Sequence, residues 1–323
     1  MEHPDVSVVV PVYNEAEGLP ALFARLYPAL DALGLRYEVV FVDDGSHDAS
    51  PALLADQFRA RPDVTRVVLF NANAGQHTAI IAGFDRVRGR RVVTLDADLQ
   101  NPPEEIAKLL AAMDAGADYV GGVRRQREDA WWRRVASRWM NRVRERITHI
   151  RMTDQGCMLR AYRREITDAV AASREVSTYI PALAYTFAHR PVEVEVAHEE
   201  RAAGESKYSL YRLVRLNFDL ITGFSLVPLQ MFSLIGMLVA VGSVALYVFV
   251  IAQKVATGRY AEGLAAVWDR DILEFFLIGL VLFGLGIVGE YVGRIYQQVR
   301  DRPRYTVRAV LERDATADEP PRP

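Results

Sequence analysis

The chain of 323 residues has one cysteine, Cys157. A lone thiol excludes an intramolecular disulfide framework and any cysteine-built zinc cluster, and it fits a reducing compartment. An excess of one charge is lacking too. Lys+Arg 39 against Asp+Glu 41 leave −2, which excludes a nucleic-acid binder of basic character overall. With 25% charged and 10% aromatic residues, the composition is not that of a disordered chain. No basic leader precedes a long apolar core in the first fifteen residues, so no signal peptide is expected. His47, His149, His189 and His198 are scattered and show no metal-binding spacing. Length predicts about two domains of roughly 150 residues.

What is present is apolar order in short segments. Residues 6–12 form an apolar run closed by a turn, the pattern of a buried parallel strand. Helical periodicity at 16–33 leads to a second run at 37–42, a helix at 48–60, a strand at 64–70, a helix at 76–87 and a strand at 91–95. This alternation predicts a doubly wound α/β sheet, whose ligands bind beyond the carboxyl ends of the strands. Acids stand at three of those ends: Glu15, the pair Asp43 and Asp44, and the pair Asp96 and Asp98.

Farther on, ten arginines face three acids across residues 124–151. Trp132, Val135, Trp139, Val143 and Ile147 recur there at spacings of three and four, which predicts a basic amphipathic helix. A solvated surface helix is one reading; Trp and Arg together favour a helix lying on a membrane surface. Residues 210–224 repeat the pattern with Leu210, Leu213, Val214, Leu220, Ile221 and Phe224. Then 24 residues, 229–252, carry no formal charge, more than the roughly 20 that span a bilayer. A second candidate span, 272–293, has 15 uncharged residues between Glu274 and Glu290. The glycines at 279, 284, 286, 289 and 293 predict close helix packing there. The expected division is therefore a catalytic domain at 1–208, an interfacial helix at 209–227 and spans at 228–253 and 272–293. A periplasmic loop at 254–271 joins the spans, and a cytoplasmic segment at 294–323 ends in a polar tail from 314. Arg294, Arg300, Arg302, Arg304 and Arg308 predict cytoplasmic termini by the positive-inside rule.

Asp96 and Asp98, at i and i+2 on a strand leaving its sheet, can turn toward one divalent cation. Mg²⁺ and Mn²⁺ suit a few carboxylates completed by phosphate oxygens. Asp43 or Asp44 could accept hydrogen bonds from a base or ribose, whereas Ser46 and Asp48 read as turn and cap residues. His77 could touch the donor or simply open a helix. Cys157 reads as a small buried side chain.

The motifs Pro11-Val12-Tyr13-Asn14-Glu15, Val42-Asp43-Asp44-Gly45-Ser46 and Asp96-Ala97-Asp98-Leu99-Gln100 resemble those of inverting family 2 glycosyltransferases with the GT-A fold. Asn101-Pro102-Pro103-Glu104 extends the resemblance to the polyprenyl-phosphate branch, which includes dolichol-phosphate mannose synthases. Gly75-Gln76-His77-Thr78-Ala79, residues 94–106, residues 156–163 and residues 204–209 are similar to the undecaprenyl-phosphate 4-deoxy-4-formamido-L-arabinose transferase (ArnC) type. The resemblance covers about residues 6–308 and departs at Ala74 and Gln155, where aromatic residues are expected. It implies that Pro11, Tyr13, Glu15, Asp43, Asp44, Gly75 and His77 bind the nucleotide-sugar. It further implies that Asp96 and Asp98 place Mg²⁺ or Mn²⁺ on the diphosphate and that Gln100 orients the sugar. Asp154 takes the place where soluble relatives carry their base and is read as positioning the sugar or acceptor. Arg124, Arg138, Arg201 and Lys207 are the candidates for the lipid phosphate, since guanidinium suits bidentate phosphate contact.

The implied reaction transfers 4-deoxy-4-formamido-L-arabinose from its UDP-sugar to undecaprenyl phosphate at the bacterial inner membrane. It would serve lipid A modification and resistance to cationic antimicrobial peptides. No nucleic-acid partner is expected, and the resemblance implies a homo-oligomer, a tetramer. Glucose or mannose as the sugar remains open, because one hydroxyl changes binding by only a few kcal/mol. A processive polysaccharide synthase fits less well: Val135 stands where its Q-x-x-R-W motif needs Gln, and two spans are too few for a channel. A non-catalytic lipid-binding subunit would not be expected to keep Asp43, Asp96, Asp98 and Gln100.

Overall fold

Strand β1, Val6–Val12, is buried at every position, as a largely apolar strand covered on both faces must be. In the computed structural model it lies inside an eight-stranded sheet. The structure describes residues 3–124, 150, 152–154, 156–173, 179–199, 222, 225–257, 270–299 and 303–313. Parallel partners of β1 are β2 (Tyr37–Asp43) on one side and β4 (Arg91–Thr94) on the other, with β3 (Thr65–Phe70) beyond β2. The central order β4-β1-β2-β3 reverses direction at β1, the point where such sheets open a crevice for ligands.

Helices cover both faces because the strands are apolar on both. Val6, Val8, Val10 and Val12 join one cluster with Leu19, Leu22, Leu26 and Leu30 of α1 (Leu19–Asp31) and Ile106, Leu109, Leu110 and Met113 of α4 (Ile106–Asp114). Each such side chain contributes about 1.5–3 kcal/mol by burial. Val9 points the other way, toward α3 (Gln76–Phe84). There Gly83 approaches so closely that a Cβ would overlap Val9. Helix α2 (Ser50–Ala60) links β2 to β3.

Around the parallel centre the sheet is mixed. Strand β6 (Arg160–Arg163) pairs antiparallel with both β4 and β5 (Tyr119–Arg124), and β7 (Pro191–Val196) runs parallel to β5. Helices α5 (Arg164–Ala172) and α6 (Ile180–Phe187) lie between β6 and β7 in sequence. At the opposite edge β8 (Val307–Leu311) pairs antiparallel with β3. Residues expected as a segment after the second span thus supply an edge strand.

The first helix starts at Leu19 rather than at 16 because the preceding loop is tied elsewhere. Asn14 adopts φ 53, and the N–H groups of Asn14, Glu15 and Ala16 donate to Ser46 Oγ, Ser50 Oγ and Asp48 Oδ2 at 2.9, 3.0 and 3.0 Å. Ser46 and Asp48 therefore brace the loop after β1 against the loop after β2, and Asp48 also accepts the Ser50 N–H at 2.9 Å, the local role expected of it.

The chain divides into two compact units, one holding the sheet and the other the two long helices. These are α7 (Val227–Thr257) and α8 (Arg270–Val299), 31 and 30 residues long. Among the described residues one segment, Leu277–Tyr296, is long and apolar enough to cross a membrane, with mean hydropathy 1.6. In α7 the described apolar stretch is the shorter Val227–Val239, so one of the two expected spans meets the criterion. Phe232 packs against Gly284, where a Cβ would overlap its ring, and Tyr291 Oη donates to the Ser225 carbonyl at 2.6 Å. The expected basic helix after Arg124 and all but the end of the interfacial helix lie outside the described residues.

Candidate active site

Four loops meet at the carboxyl ends of the parallel strands. Register places Val12 beside Asp43 and Asp43 beside Leu69, so the loops after β1, β2 and β3 leave the sheet at one level. Asp43 is fully buried. Its Oδ2 accepts the Ser46 N–H at 3.3 Å, while Oδ1 is buried with no hydrogen-bond partner. Burial raises its pKa, against hydrogen bonds from Ser46 and the charge of Arg308 that lower it.

Asp44 is occupied differently. Its carboxylate accepts the Ala74 N–H at 2.6 Å, the Gly75 N–H at 2.9 Å and Asn73 Nδ2 at 3.0 Å. Burial again raises its pKa, with the Ala74 and Gly75 bonds opposing. Asp44 therefore fixes the loop after β3, which Gly45 admits at close range: a Cβ there would sit 2.5 Å from the Ala72 carbonyl carbon. Of the two acids expected to face the nucleotide, Asp43 keeps a buried acceptor and Asp44 spends its oxygens on the fold.

That loop leads through Gly75, at φ +94, into α3. Gln76 Nε2 donates to Asp96 Oδ1 at 2.7 Å, so the loop after β3 also holds the first acid of Asp96-Ala97-Asp98. His77 Nδ1 is buried without a hydrogen-bond partner, and the ring meets Tyr179 edge-on at 5.5 Å. Burial pushes the His77 pKa down to about 4, leaving the imidazole neutral near pH 7. Asp98 Oδ1 accepts the Gln100 N–H at 3.2 Å, and Leu99 between them takes φ 58. A leucine in the left-handed region costs of order 1–3 kcal/mol and is common at functional sites.

Beyond β4 the loop 154–159 is tied down at several points. Asp154 is buried and paired with Arg124, Nε to Oδ2 at 2.6 Å and Nη2 to Oδ1 at 2.8 Å. Arg160 is 1% exposed. It donates to the carbonyls of Asp154 and Cys157, both at 2.8 Å, and to Tyr119 Oη. Thr94 Oγ1 donates to the Met158 carbonyl at 2.7 Å, joining this loop to β4 just before Asp96. Cys157 is buried, with its thiol pushed up to about 11, which suits packing and not nucleophilic attack. Glu199 N–H donates to the Gln100 carbonyl at 2.9 Å, and Arg25 binds Glu104 and Glu199 together.

The structure thus places Pro11, Tyr13, Glu15, Asp43, Asp44, Gly75, His77, Asp96, Asp98 and Gln100 at the carboxyl ends of the parallel strands and on the segments that follow them. It pairs Arg124 with Asp154. Arg138, Arg201 and Lys207 lie outside the described residues. Sequence reading gave no role to Gln76, Arg160 or Asn73, although Gln76 and Arg160 stand in the motifs at residues 75–79 and 156–163. Among the described residues no group of three or more His, Cys, Asp or Glu could hold a metal. Asp96 and Asp98 are a hard oxygen donor pair that fits Mg²⁺ or Mn²⁺ completed by phosphate oxygens and water.

The model of the glycosyl transferase family 2 domain matches residues 7–170, and this match spans the four loops. The chain belongs to glycosyltransferase family 2. It is a glycosyltransferase with a mixed α/β, GT-A-like domain built on one sheet. Among solved structures it is similar to glucosyl-3-phosphoglycerate synthase of Mycobacterium tuberculosis with Mn²⁺, UDP-glucose and phosphoglyceric acid. That similarity is 17% identity over 68% of this chain and 78% of that one, with TM-score 0.47. A mannosyltransferase of Pyrobaculum calidifontis with GDP-Man and Mn²⁺ matches at 20% identity, over 72% of this chain and 64% of that one, TM-score 0.46. Mannosyl-3-phosphoglycerate synthase of Rubrobacter xylanophilus matches at 15% identity, over 68% and 72%, TM-score 0.48.

Proposed function

We propose that this glycosyltransferase moves 4-deoxy-4-formamido-L-arabinose from UDP to undecaprenyl phosphate, with inversion, at the cytoplasmic face of the bacterial inner membrane. The observation that carries the reading is one chain holding two things. One is the family 2 site, with Asp43, Asp96 and Asp98 at adjoining strand ends. The other is an apolar helix, Leu277–Tyr296, whose Val281, Leu282, Phe283 and Leu285 are each more than half exposed. Such a helix suits lipid better than a soluble core, and a lipid acceptor explains why a sugar transferase carries it. The motifs at residues 75–79, 94–106, 156–163 and 204–209 support the choice of sugar, and the product would feed lipid A modification.

In this reading Asp43 Oδ1 accepts a hydrogen bond from the base, and Tyr13, 43% exposed, offers its ring to the nucleoside. Asp96 and Asp98 would hold Mg²⁺ or Mn²⁺, which when bound offsets charge on the departing diphosphate. The acceptor phosphate is an anion at neutral pH, so an oxygen of it attacks the anomeric carbon without a strong general base, and UDP departs from the opposite face. Gln100 and the Arg124–Asp154 pair position the sugar and acceptor, while Arg138, Arg201 and Lys207 supply cations for the phosphate.

A donor screen tests the reading. Purified full-length protein is offered undecaprenyl phosphate with UDP-4-deoxy-4-formamido-L-arabinose, UDP-glucose or GDP-mannose, each with Mg²⁺ or Mn²⁺. Lipid product from the first donor alone is expected; turnover confined to glucose or mannose refutes the assignment. The two-span topology places a tag at position 258 in the periplasm, and labelling of that tag from the cytoplasm overturns it.

A further inference from the structure

Strand β8 enters the sheet from the far end of the sequence, and its pairing with β3 is irregular where it matters. Val67 faces Leu311, Val68 faces Val310 and Leu69 faces Ala309, but Phe70 faces Val307. Arg308 is therefore the extra residue of a β-bulge, a device that re-aims a side chain beside a site. The bulge sits in a defined row. Asp43 is opposite Leu69, and Leu69 is opposite Ala309, so Asp43 and the bulge are two strand spacings apart, about 10 Å between backbones. The long Arg308 side chain can span most of that gap, whereas the Asp43 carboxyl stays close to its own backbone. The Arg308 charge is felt by the Asp43 carboxyl, and the Arg308 residue itself is exposed.

The bulge is anchored on both sides. Tyr305 stacks on Phe70 with centroids 4.6 Å apart and 12° between planes. Asn71 N–H donates to the Thr306 carbonyl at 3.0 Å, and Asn71 Nδ2 to Thr306 Oγ1 at 3.3 Å. Glu312 binds Arg66 at 2.6 Å and Arg88 at 3.0 Å. Residue 71 opens the loop that Asp44 holds and that carries Gln76 to Asp96.

We propose that Arg308 is a donor-site residue that reads the nucleobase together with Asp43. The inference rests on the nucleotide-sugar reading above and adds a specificity residue to it. Asp43 Oδ1, buried and without a hydrogen-bond partner, needs a donor from the ligand. The Arg308 guanidinium, whose charge acts on the same carboxyl, needs an acceptor. The uracil edge offers both, an N–H flanked by carbonyl oxygens; cytosine places an acceptor where that N–H would be. A guanidinium donates in a fixed fork, so lysine reproduces its charge better than its geometry.

The test titrates full-length protein in detergent with UDP, CDP and GDP in the presence of Mn²⁺, by calorimetry. Arg308→Gln is compared with wild type, with Arg308→Lys, and with Arg313→Gln, which removes the same charge from an exposed pair with Asp63. UDP affinity is expected to fall about tenfold in Arg308→Gln, the scale of one charge-assisted hydrogen bond. The preference for UDP over CDP should shrink with it. Arg308→Lys should recover part of the affinity, and Arg313→Gln should stay within twofold of wild type. UDP binding within twofold of wild type in Arg308→Gln overturns the proposal, as does an equal loss in Arg313→Gln. Wild type that binds GDP and not UDP refutes the UDP reading alone. The ratio of variant to wild type, measured with GDP, then decides on Arg308.

Discussion

Replacing Asp44 by alanine should loosen a loop that the residue never covalently joins. Its carboxylate receives three donors, the Ala74 and Gly75 N–H groups and Asn73 Nδ2, and the residue is 2% exposed. Hydrogen bonds to a charged group contribute about 1.5–3 kcal/mol each, so roughly 4–9 kcal/mol of interaction is lost. Burial of the charge, which raises the Asp44 pKa, costs several kcal/mol that the substitution returns. The net destabilisation is therefore about 2–4 kcal/mol, concentrated at residues 73–75. Hydrogen exchange followed by mass spectrometry on peptides covering 70–77 reads it directly, because two of the three donors are main-chain amides. Protection there should drop by about 30- to 800-fold, the equivalent of that energy. Asp43→Ala is the contrast: nucleotide binding should go while protection at 73–75 stays. Unchanged exchange in Asp44→Ala, or equal loosening in Asp43→Ala, refutes the division of labour between the two acids.

Three further outcomes follow from the same geometry. Asp98→Ala should abolish metal-dependent transfer while the protein still inserts in membranes, and turnover at the wild-type rate with Mn²⁺ would remove the metal assignment. His77 has its pKa lowered to about 4, below the 6.5 of an unfolded chain. The unfolded state then binds more protons between those values, and stability falls as pH drops from 6.5 to 4. Unfolding midpoints of His77→Gln at pH 7 and pH 5 should differ less than those of wild type; an identical difference counts against the buried neutral ring. Arg124→Met strands the carboxylate of Asp154 in a site only 7% exposed at its side chain. The cost should be about 2–4 kcal/mol, less than for a fully orphaned buried charge because Gly156 N–H still donates. Arg124→Met/Asp154→Asn should recover part of that in chemical denaturation, and strictly additive losses would deny the pair its coupling.

The central strands were legible because burial on both faces leaves mostly apolar residues in β1 and β2, with Ser7 and Glu38 paired to each other, and the acids at their carboxyl ends stand out against that background. The outer strands hid for particular reasons. Strand β5 contains Gly121 and Gly122, which read as a turn but exist for close approach: a Cβ on Gly122 would lie 2.7 Å from the Leu159 carbonyl oxygen. Strand β6 begins with an arginine that is buried, reversing the usual sense of a charged residue. Strand β8 is five residues long and separated from its partner by most of the chain. At the site, sequence pattern found the carboxylates but could not separate Asp43 from Asp44, since only the fold of residues 73–75 decides which one is occupied. Nor could it anticipate that Asp154 would meet Arg124, because 30 positions separate them.

The late arrival of β8 has a consequence for synthesis. Arg66 and its partner Glu312 are 246 positions apart. At 5–20 residues per second a ribosome needs about 12–50 s to travel between them. Throughout that interval the outer edge of β3 lacks its neighbour, and the loop opening at Asn71 lacks Thr306. Both long helices have by then been translated. A premature stop a few codons before position 307 would release a chain with every carboxylate of the family motif in place and an open sheet edge, a template for aberrant pairing. Translation order thus leaves the sheet edge at β3 and the loop at Asn71 to be closed only after the apolar helices have been made.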